Sequence, residues 1–504
     1  MNDRKHIPWI QLLMAVFLYA TVLVYQGYIY GAGDQSQILP CLYALDHPEF
    51  YTLDHYVTSY LAGGVNERTV FHFLFRYLGY NSPIMMLIWH AVFSIALIWA
   101  WIRISEWGIK SKLFQYLAVA SILIIGFHTS VGDNELYYNS VIPSLLAKAI
   151  GSWALYFWLE GKYRHWIIGL LVATFIQPLV GLQLFLLTAT ALLLTRMLEK
   201  APRIMPWKWM LGYMVLVFPW FYFLARNNGG HTDPGHFMDI LSFRLSHHFF
   251  PGSFSWFDLL LFMVMSIIAI SFYKHRLRWF MILIVVGCVV YTIGVELFYQ
   301  PLVLYSQWFK TTIWLEAFAL IAVFFGLEKL FKKQERYFKY WIVVPILGLL
   351  LVGTYRISGW FGPQPAYMIS GIQEDSPEVA ISKLAYDLTP EDAVFIVPVE
   401  FSAFRWHSKR NLYIDYKALF HSEDFLASWY DRIQKIYAYS IEEQNSGFDI
   451  QSFSTELLSD PSQLSIDYWR SLGISHFVST NSEILGLEGI EMIGGNELFY
   501  IYRL

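Results

Sequence analysis

The sequence predicts an α-helical polytopic membrane protein, with about eleven transmembrane helices and a C-terminal α/β domain outside the membrane. Three observations lead to this fold class. The 504 residues are 56% hydrophobic and 19% aromatic, but only 15% charged, whereas soluble domains carry about 25% charged residues. Long apolar runs recur from the N-terminus to residue 357, and the chain becomes polar from Ser376 onward.

Apolar runs long enough to cross about 30 Å of hydrocarbon divide most of the first 357 residues. The run at 165–195 is interrupted by Gln177 and Pro178. Proline removes a backbone donor and disfavours helix in the residue before it. We therefore expect two short helices there, in a hairpin that returns to the side it left. The other expected spans lie at 8–29, 83–104, 113–128, 141–160, 207–225, 257–273, 280–299, 311–328 and 340–357.

Lysines and arginines between these spans predict the orientation, because cytoplasmic loops are enriched in both. Counting the hairpin as two helices, every basic group falls on one side. The N-terminus is therefore predicted to be cytoplasmic, and the first loop and the C-terminal domain extracytoplasmic. The basic groups lie at 4–5, 103–112, 162–164, 196–208, 274–278 and 329–339.

The predicted domains are a transmembrane domain at 1–357, which includes a long first external loop at 30–82, and an α/β domain at 358–504. Helical and strand-like patterns alternate in the second domain, as is typical of α/β folds. Cys41 and Cys288 are too few for a disulfide framework, and a net charge of −4 gives no reason to expect nucleic acid. The helical patterns are SPEVAISKLAYDL, EDFLASWYDRIQKIYAY and PSQLSIDYWRSL, and the strand-like ones AVFIVP, LYIDYKAL, ISHFVS and ELFYIYRL.

The first external loop places carboxylates at the membrane boundary, where they are costly unless solvated, paired or used. Asp34, next to Gln35, is a candidate general base or a group that orients an acceptor hydroxyl. Its alternative role is a loop residue that caps the following helix. Asp54, next to His55, is a candidate second catalytic carboxylate, a metal ligand, or the N-cap of the helix that follows.

A basic segment before the span at 257–273 contains Arg244, His247 and His248. Residues three or four apart share one helix face, and a guanidinium binds phosphate oxygens in pairs. This face is a candidate site for a lipid-linked phosphate, or alternatively a contact to anionic lipid headgroups. Lys310 stands at an outer helix end, where lysine is uncommon, and is a further candidate for phosphate contact or for pairing.

Two other segments are predicted to face the same side. The loop VGDNELYYNS contains Asp133 and Glu135, which are candidates to join the first loop around a substrate or a cation. The basic and aromatic segment FRWHSKRN contains Arg405, a candidate to line the approach to the site. In both segments the alternative is an ordinary hydrated loop.

The assembled pattern resembles the C-type glycosyltransferases, membrane enzymes that take sugars from polyprenyl-phosphate carriers. The resemblance covers most of the chain: the acidic first loop GAGDQSQILPCLYALDHPEFYTLDH, the short hairpin helices and the outer α/β domain. It implies Asp34 as the catalytic residue, Asp54 as the next candidate, and FRLSHHFFP as the basic region near the donor phosphate. Some members have Asp-Glu where this chain has Asp34 and Gln35, a departure from the family pattern that bears on mechanism and metal use.

The resemblance implies an enzyme of the bacterial inner membrane that transfers the sugar with inversion to an acceptor it leaves unidentified. No cofactor is expected, and a divalent cation is not favoured. Membrane lipid and the polyprenyl-phosphate-linked sugar are the expected partners. A transporter or flippase of lipid-linked sugars, using Lys148 and the break at Gln177, is one alternative, and a non-catalytic assembly or sensor protein is another. The expected donor-phosphate residues are Arg244, His247, His248 and Lys310, and the expected substrate-loop residues are Gln35, His55, Asp133, Glu135 and Arg405.

Overall fold

A computed structural model shows that the chain forms two compact units. The first comprises the described parts of Met1–Tyr28, Leu87–Phe221 and Leu245–Met368, and the second those of Ile29–Met86, Tyr222–Arg244 and Ile369–Leu504. The first external loop thus belongs to the same unit as the C-terminal region. The predicted boundary at 357 lies outside the described residues, which are 8–126, 131–199, 205–228, 234–333, 369, 371, 376–445, 449–484 and 487–504.

Apolar helices make up most of the first unit and indicate a membrane protein. Four helices are long and apolar enough to cross a membrane, and three more are apolar but shorter. The described residues do not confirm about eleven crossings, and the expected span at 340–357 lies outside them. The four long helices are Trp9–Gln26, Pro83–Ser105, Pro178–Glu199 and His275–Leu297, and the shorter ones Lys112–Ile125, Tyr163–Ile176 and Trp256–Phe272.

Fifteen helices precede residue 334 in the described part of the chain, with bounds as follows: α1 Pro8–Gln26, α2 Leu39–Asp46, α3 His55–Ala62, α4 Thr69–Arg76, α5 Pro83–Ser105, α6 Lys112–Ile125, α7 Pro143–Leu159, α8 Tyr163–Ile176, α9 Pro178–Glu199, α10 Trp207–Asn228, α11 Pro234–Phe249, α12 Trp256–Phe272, α13 His275–Thr292, α14 Pro301–Tyr305 and α15 Thr312–Lys333. Short 3-10 turns lie at Gly33–Gln37, Pro251–Ser253 and Trp308–Thr311, and a π-helical turn at Ile293–Leu297 follows α13.

The predicted break before Pro178 is confirmed. Helix α8 ends at Ile176, and Gln177 is extended, with φ −143° and ψ 100°. The two helices pack closely because Gly181 has no side chain: a Cβ atom there would collide with Thr174. Helix α9 is nevertheless a full-length helix of 22 residues, so the expectation of two short helices is wrong for the second, whose apolar sequence runs on without a further breaker.

Two buried polar side chains of the first unit, Glu328 and Gln183, are paired, as an apolar surrounding favours. The carboxylate of Glu328 accepts the backbone N–H groups of Lys110 at 3.0 Å and Ser111 at 2.7 Å. The amide of Gln183 donates to the carbonyl oxygens of Ser306 and Gln307 at 2.7 and 3.1 Å. These bonds tie helix ends to neighbouring loops within the unit.

The second unit contains a five-stranded sheet in the order β2-β1-β3-β5-β4. Strand β1 is parallel to β2 and β3, and β5 is antiparallel to β3 and β4. The strands are β1 Val394–Ile396, β2 Asn411–Leu412, β3 His476–Ser479, β4 Glu491–Gly495 and β5 Tyr500–Arg503. The helices of this region are α16 Pro377–Leu388, α17 Phe404–Ser408, α18 Glu423–Tyr437, α19 Ile441–Asn445, α20 Ile450–Ser459 and α21 Gln463–Ser471.

The predicted mixture of helices and strands in the C-terminal region is therefore confirmed. A helix forms within each of the three helical patterns, and α16 and α21 begin at the serine N-caps Ser376 and Ser462. Of the pattern LYIDYKAL only the first residue, Leu412, lies in a strand, Asn411–Leu412, because the chain then turns away from the sheet. Strand β4 was not predicted, since its residues are mostly exposed and include two glycines.

Apolar side chains from the sheet and from helices α16 and α17 fill the core of the C-terminal region. Phe395 on β1, Val478 on β3 and Ile501 on β5 are fully buried and pack with Ile381 of α16 and Phe404 of α17. Burial of side chains of this size stabilises a fold by about 1.5–3 kcal/mol each relative to exposure. The core thereby fixes the strand ends and the loops that leave them.

Candidate active site

Asp34 lies in the short 3-10 turn Gly33–Gln37, soon after α1. Its Oδ1 atom is 3.3 Å from Nζ of Lys417, and the Asp34 side chain is 47% exposed. Gln37, at the end of the same turn, donates from Nε2 to the carbonyl oxygen of Lys417 at 3.4 Å. Asp34 is thus a solvent-accessible carboxylate held beside a cation, which allows it to meet the hydroxyl of an external molecule.

Gln35 is fully buried and supports the turn that carries Asp34. Its Oε1 atom accepts the backbone N–H of Gly31 at 2.9 Å. Gly31 has φ +75°, and a Cβ atom there would collide with Trp406. The conformation and the close approach both require glycine. In the described structure, Gln35 therefore stabilises the loop itself.

Asp54 has no exposed side-chain surface. Its Oδ1 atom accepts the N–H of Val57 at 2.9 Å, which makes Asp54 the N-cap of α3. Its Oδ2 atom accepts from Nε of Arg405 at 2.8 Å and from the N–H of Leu412 at 3.0 Å. Of the three roles the sequence left open, the structure confirms the N-cap.

Arg405 is buried between two carboxylates, with 1% of its side chain exposed. Besides Asp54, its guanidinium pairs with Asp415. Burial alone would disfavour the charge, but the two carboxylates raise the pKa of Arg405 above its usual value. The side chain does not line an open approach, as the sequence suggested; instead it joins the first loop to the loop after β2.

Asp415 in turn fixes the backbone of the next residues in the loop after β2. Its Oδ1 atom accepts the N–H groups of Lys417 and Ala418 at 2.6 and 3.0 Å. Its carbonyl oxygen accepts from the indole of Trp429 at 2.9 Å. A carboxylate that binds two successive backbone N–H groups fixes the turn, and so fixes where the Lys417 side chain begins.

Arg244, on α11, contacts the residue between Asp415 and Lys417. Its Nε atom donates to the carbonyl oxygen of Tyr416 at 2.8 Å, and its guanidinium lies 4.3 Å from the centre of the Tyr416 ring. Burial lowers the pKa of Arg244, and the nearby Tyr416 and Asp415 oppose that shift. A guanidinium stays protonated in proteins, so Arg244 is a partly buried cation.

Asp34 and Arg244 are therefore held by consecutive residues of one loop: Lys417 pairs with the first and Tyr416 stacks on the second. All four residues belong to the second unit. The structure thus connects the predicted base and one predicted phosphate ligand to neighbouring residues of one loop, whose turn is fixed by Asp415.

His247 and His248 belong to the first unit. Leu245 has non-helical φ −133° and ψ 32° inside α11, so the spacing argument that placed Arg244 and the histidines on one helix face does not hold. The Nδ1–H of His248 donates to the carbonyl oxygen of Gly132 at 2.9 Å. Burial and the adjacent His247 lower the pKa of His248 to about 4, so near neutral pH it offers hydrogen bonds and no charge.

Lys310 lines a small cavity of about 20 Å3 in the first unit, together with Lys148, Gln177 and Gln183. A cavity needs about 10–15 Å3 to hold one water, so this one admits a water and no larger ligand. The charge of Lys310 also acts on the neighbouring His248. The cavity brings two lysines to the helix break at Gln177.

Asp133 and Glu135 lie in the loop that precedes α7. Asp133 has φ +50° and follows Gly132 at φ +74°, a turn geometry that aspartate tolerates better than most residues. The carbonyl oxygen of Glu135 accepts a bond from the buried Lys148, whose ammonium lies 4.4 Å from the centre of the Tyr138 ring. Of the two loop residues, Asp133 acts on a predicted phosphate ligand of the first unit, His248.

His55 lies at the start of α3, against α18. Its ring stacks on Phe425 at 5.1 Å between centroids, and Nε2 is 2.9 Å from the Ser428 hydroxyl. Burial, with a smaller effect of Arg432 and Arg405, lowers the pKa of His55 to about 4. The imidazole is therefore neutral near pH 7.

Sequence reasoning misses Asp415, Tyr416 and Lys417, because the pattern LYIDYKAL predicts a strand at these positions. One available signal is their place just beyond the carboxyl end of a strand in an α/β pattern, where ligand-binding residues gather. Strand β2 is parallel to β1, and the loop that follows it carries all three residues.

A protein-family model described as a domain of unknown function, DUF6798, matches residues 378–436. The match covers less than half of the chain. It contains Arg405, Tyr416 and Lys417, and most of α18. No curated protein matches the chain.

Proposed function

We propose that this protein is a membrane glycosyltransferase, which moves a sugar from a polyprenyl-phosphate-linked donor to an acceptor with inversion. The observation that carries the proposal is the convergence of Asp34 and Arg244 on consecutive residues, Lys417 and Tyr416. An accessible carboxylate and a partly buried guanidinium, which contact neighbouring residues of one loop, are the two groups that such a transfer needs. Membrane helices suit a donor whose lipid chain stays in the bilayer.

In the proposed reaction, Asp34 takes the proton of the acceptor hydroxyl. The acceptor oxygen then bonds to the anomeric carbon, on the face opposite the leaving group. The bond from that carbon to the phosphate oxygen breaks, and its electron pair stays on the phosphate. Arg244 and Lys417 balance the charge that grows there, as preorganised cations do in transition states.

The Asp34–Lys417 pair is partly exposed, and such pairs contribute about 0–1 kcal/mol. A substrate can therefore separate the two side chains at little cost. Lys417 is then available to a phosphate, and Asp34 to a hydroxyl. This weak pairing fits a site whose charges exchange partners during the reaction.

The buried ion pairs around Arg405 have a positioning role in this proposal. Asp54 caps α3 and Asp415 fixes the turn before Lys417, and Arg405 connects them. A turn fixed by Asp415 limits the freedom of Tyr416 and Lys417. Asp54 thus acts on the reaction through these loops.

The proposal also includes a membrane topology. We take the chain to cross the bacterial inner membrane about eleven times, with a cytoplasmic N-terminus and an extracytoplasmic second unit. Lys310 and His248 belong to the first unit, and a phosphate contact by either stays a prediction from the sequence.

Transport of a lipid-linked sugar is less well supported. The feature that most favours transport is the helix break at Gln177, next to Lys148 and Lys310. The cavity there holds about 20 Å3, whereas sites for drug-sized ligands occupy about 300–1,000 Å3. A pathway for a sugar would require a much larger opening.

The proposal is tested by incubating the purified protein in nanodiscs with a panel of polyprenyl-phosphate sugars. Mass spectrometry measures release of polyprenyl phosphate, with and without added acceptor glycans. Release from at least one donor, absent with empty nanodiscs, supports the proposal. If no donor on a panel of hexoses, N-acetylhexosamines and pentoses is consumed, the assignment is wrong.

A further inference from the structure

A second cavity lies within the second unit, and neither Asp34 nor Arg244 lines it. It has a volume of about 220 Å3 and is formed by α3, the loop after it, and the segment that leads into α18. Sites for drug-sized ligands occupy about 300–1,000 Å3. The space is therefore suited to a smaller molecule.

One wall of this cavity is aromatic. Phe420 and Phe425 are stacked, with centroids 4.3 Å apart, and Tyr60 meets Phe420 edge to face at 5.8 Å. Such faces pack against the C–H surface of a ring-shaped ligand.

The remaining lining is made of short polar side chains. Ser59, Ser422 and Ser428 present hydroxyls, and Asp424 presents a carboxylate at the start of α18. Hydroxyls and carboxylates are the groups that exchange hydrogen bonds with a polyhydroxylated molecule. His55 is bonded to Ser428 and fixes one of these hydroxyls in place.

The charges at the cavity select against anions. Asp424 is acidic, none of the lining residues is lysine or arginine, and His55 is neutral near pH 7 because burial lowers its pKa to about 4. A phosphate or carboxylate ligand would meet the like charge of Asp424, and no lysine or arginine lines the cavity to contact it. A neutral ligand meets no such cost.

We propose that this cavity binds a neutral, hydroxyl-rich ligand of about the size of one monosaccharide. The aromatic wall would contact its apolar face, and Asp424 with the serines would bind its hydroxyls. This goes beyond the proposed transfer reaction, because the cavity contains neither Asp34 nor Arg244 and its occupancy needs no lipid donor.

Isothermal titration of the purified full-length protein tests this, in the absence of any lipid-linked donor. The probes are glucose, galactose, mannose and N-acetylglucosamine, with glucose 6-phosphate and glucuronate as anionic counterparts. We expect saturable binding of at least one neutral sugar with a Kd below about 10 mM, and at least tenfold weaker binding of its anionic counterpart.

Two variants assign that binding to the cavity. Asp424→Asn keeps the shape but loses the charge-assisted bonds, and should weaken the Kd at least tenfold. Ser428→Ala should weaken it severalfold. The matched control is Asp467→Asn, which removes an aspartate from α21 that is exposed and paired with Arg470, and should leave the Kd unchanged.

Three results would overturn the inference: no neutral sugar binds below about 10 mM, only anionic sugars bind, or both cavity variants keep the wild-type Kd. A protein that binds a neutral sugar here but consumes no lipid-linked donor would retain this inference and lose the proposed reaction. A protein that consumes a donor but binds no neutral sugar in this titration would retain the proposed reaction and lose this inference.

Discussion

The carboxylate of Asp34 lies 3.3 Å from the ammonium of Lys417, although 382 residues separate them along the chain. Lys417 follows directly after Tyr416, on which Arg244 stacks. One short loop therefore contacts both the accessible acid and the partly buried guanidinium.

Arg244→Ala should weaken binding of a polyprenyl-phosphate sugar by more than tenfold, since bonds to charged groups contribute about 1.5–3 kcal/mol. The matched control is Arg432→Ala. Arg432 donates to the carbonyl oxygen of Tyr413 at 2.8 Å and stacks on its ring at 4.4 Å, so it has the same local geometry away from Asp34. Donor affinity, measured by titration in nanodiscs, should fall for Arg244→Ala alone; equal affinities would remove Arg244 from the donor site.

Asp54→Ala should destabilise the second unit strongly. It removes the N-cap of α3 and leaves Arg405 with one of its two buried partners. Breaking a buried ion pair in this way costs about 3–5 kcal/mol. The thermal unfolding midpoint reports the loss. Glu491→Ala, which breaks an exposed pair with Arg503, should change the midpoint little. A similar midpoint for both variants would mean that the buried ion pairs do not order these loops.

The stability of the second unit should depend on the ionisation of Glu378. Burial raises its pKa to about 7, although the N–H of Ala403 donates to it at 2.5 Å and opposes the shift. The folded form therefore holds a proton that the unfolded chain has lost, between the ordinary carboxyl pKa and about pH 7. The stabilisation is full at the acidic end of this range and is lost as the pH rises through 7.

Glu378→Gln should flatten that dependence, because the amide keeps an oxygen for Ala403 and carries no proton to lose. The measurement compares unfolding midpoints of variant and wild type from pH 5 to pH 8. Wild type should lose more stability than Glu378→Gln as the pH rises. Parallel curves would show that Glu378 does not titrate in this range.

Cysteine labelling tests the topology. Cys41 and Cys288 are buried, and burial raises the pKa of Cys41 to about 12, so the background reaction with a maleimide should be low. A cysteine at Leu464, where the native side chain is 80% exposed, should react with a membrane-impermeant maleimide in spheroplasts. One at Leu330, 63% exposed, should react only after lysis. The opposite pattern would invert the proposed orientation.

Local features of the fold could be predicted from the sequence. The break at Gln177 follows from the proline after it, and the N-cap at Asp54 from an aspartate before a helical pattern. Strand β4 was not predicted, because an exposed strand with two glycines lacks the alternation of apolar and polar residues that marks a half-buried strand. The strand at Asn411–Leu412 is shorter than the pattern LYIDYKAL predicts, because tertiary contacts turn the following residues out of the sheet.

The candidate site could be predicted only in part. Asp34 and Arg244 were proposed from their types and positions. The loop that connects them could not be, since Asp415, Tyr416 and Lys417 act through contacts hundreds of residues away in sequence. Arg405 illustrates the same limit: a basic, aromatic segment is typical of an exposed surface, and only the two carboxylates beside it show why this arginine is buried.

The base assignment is tested most directly by comparing Asp34→Asn with Asp46→Asn. Asp46 is an aspartate of the same external loop, paired with Arg76, and is outside the proposed site. With the donor that wild type consumes, release of polyprenyl phosphate should be abolished by Asp34→Asn and kept by Asp46→Asn, with both proteins folded in nanodiscs. Wild-type turnover by the Asp34→Asn protein would contradict the account.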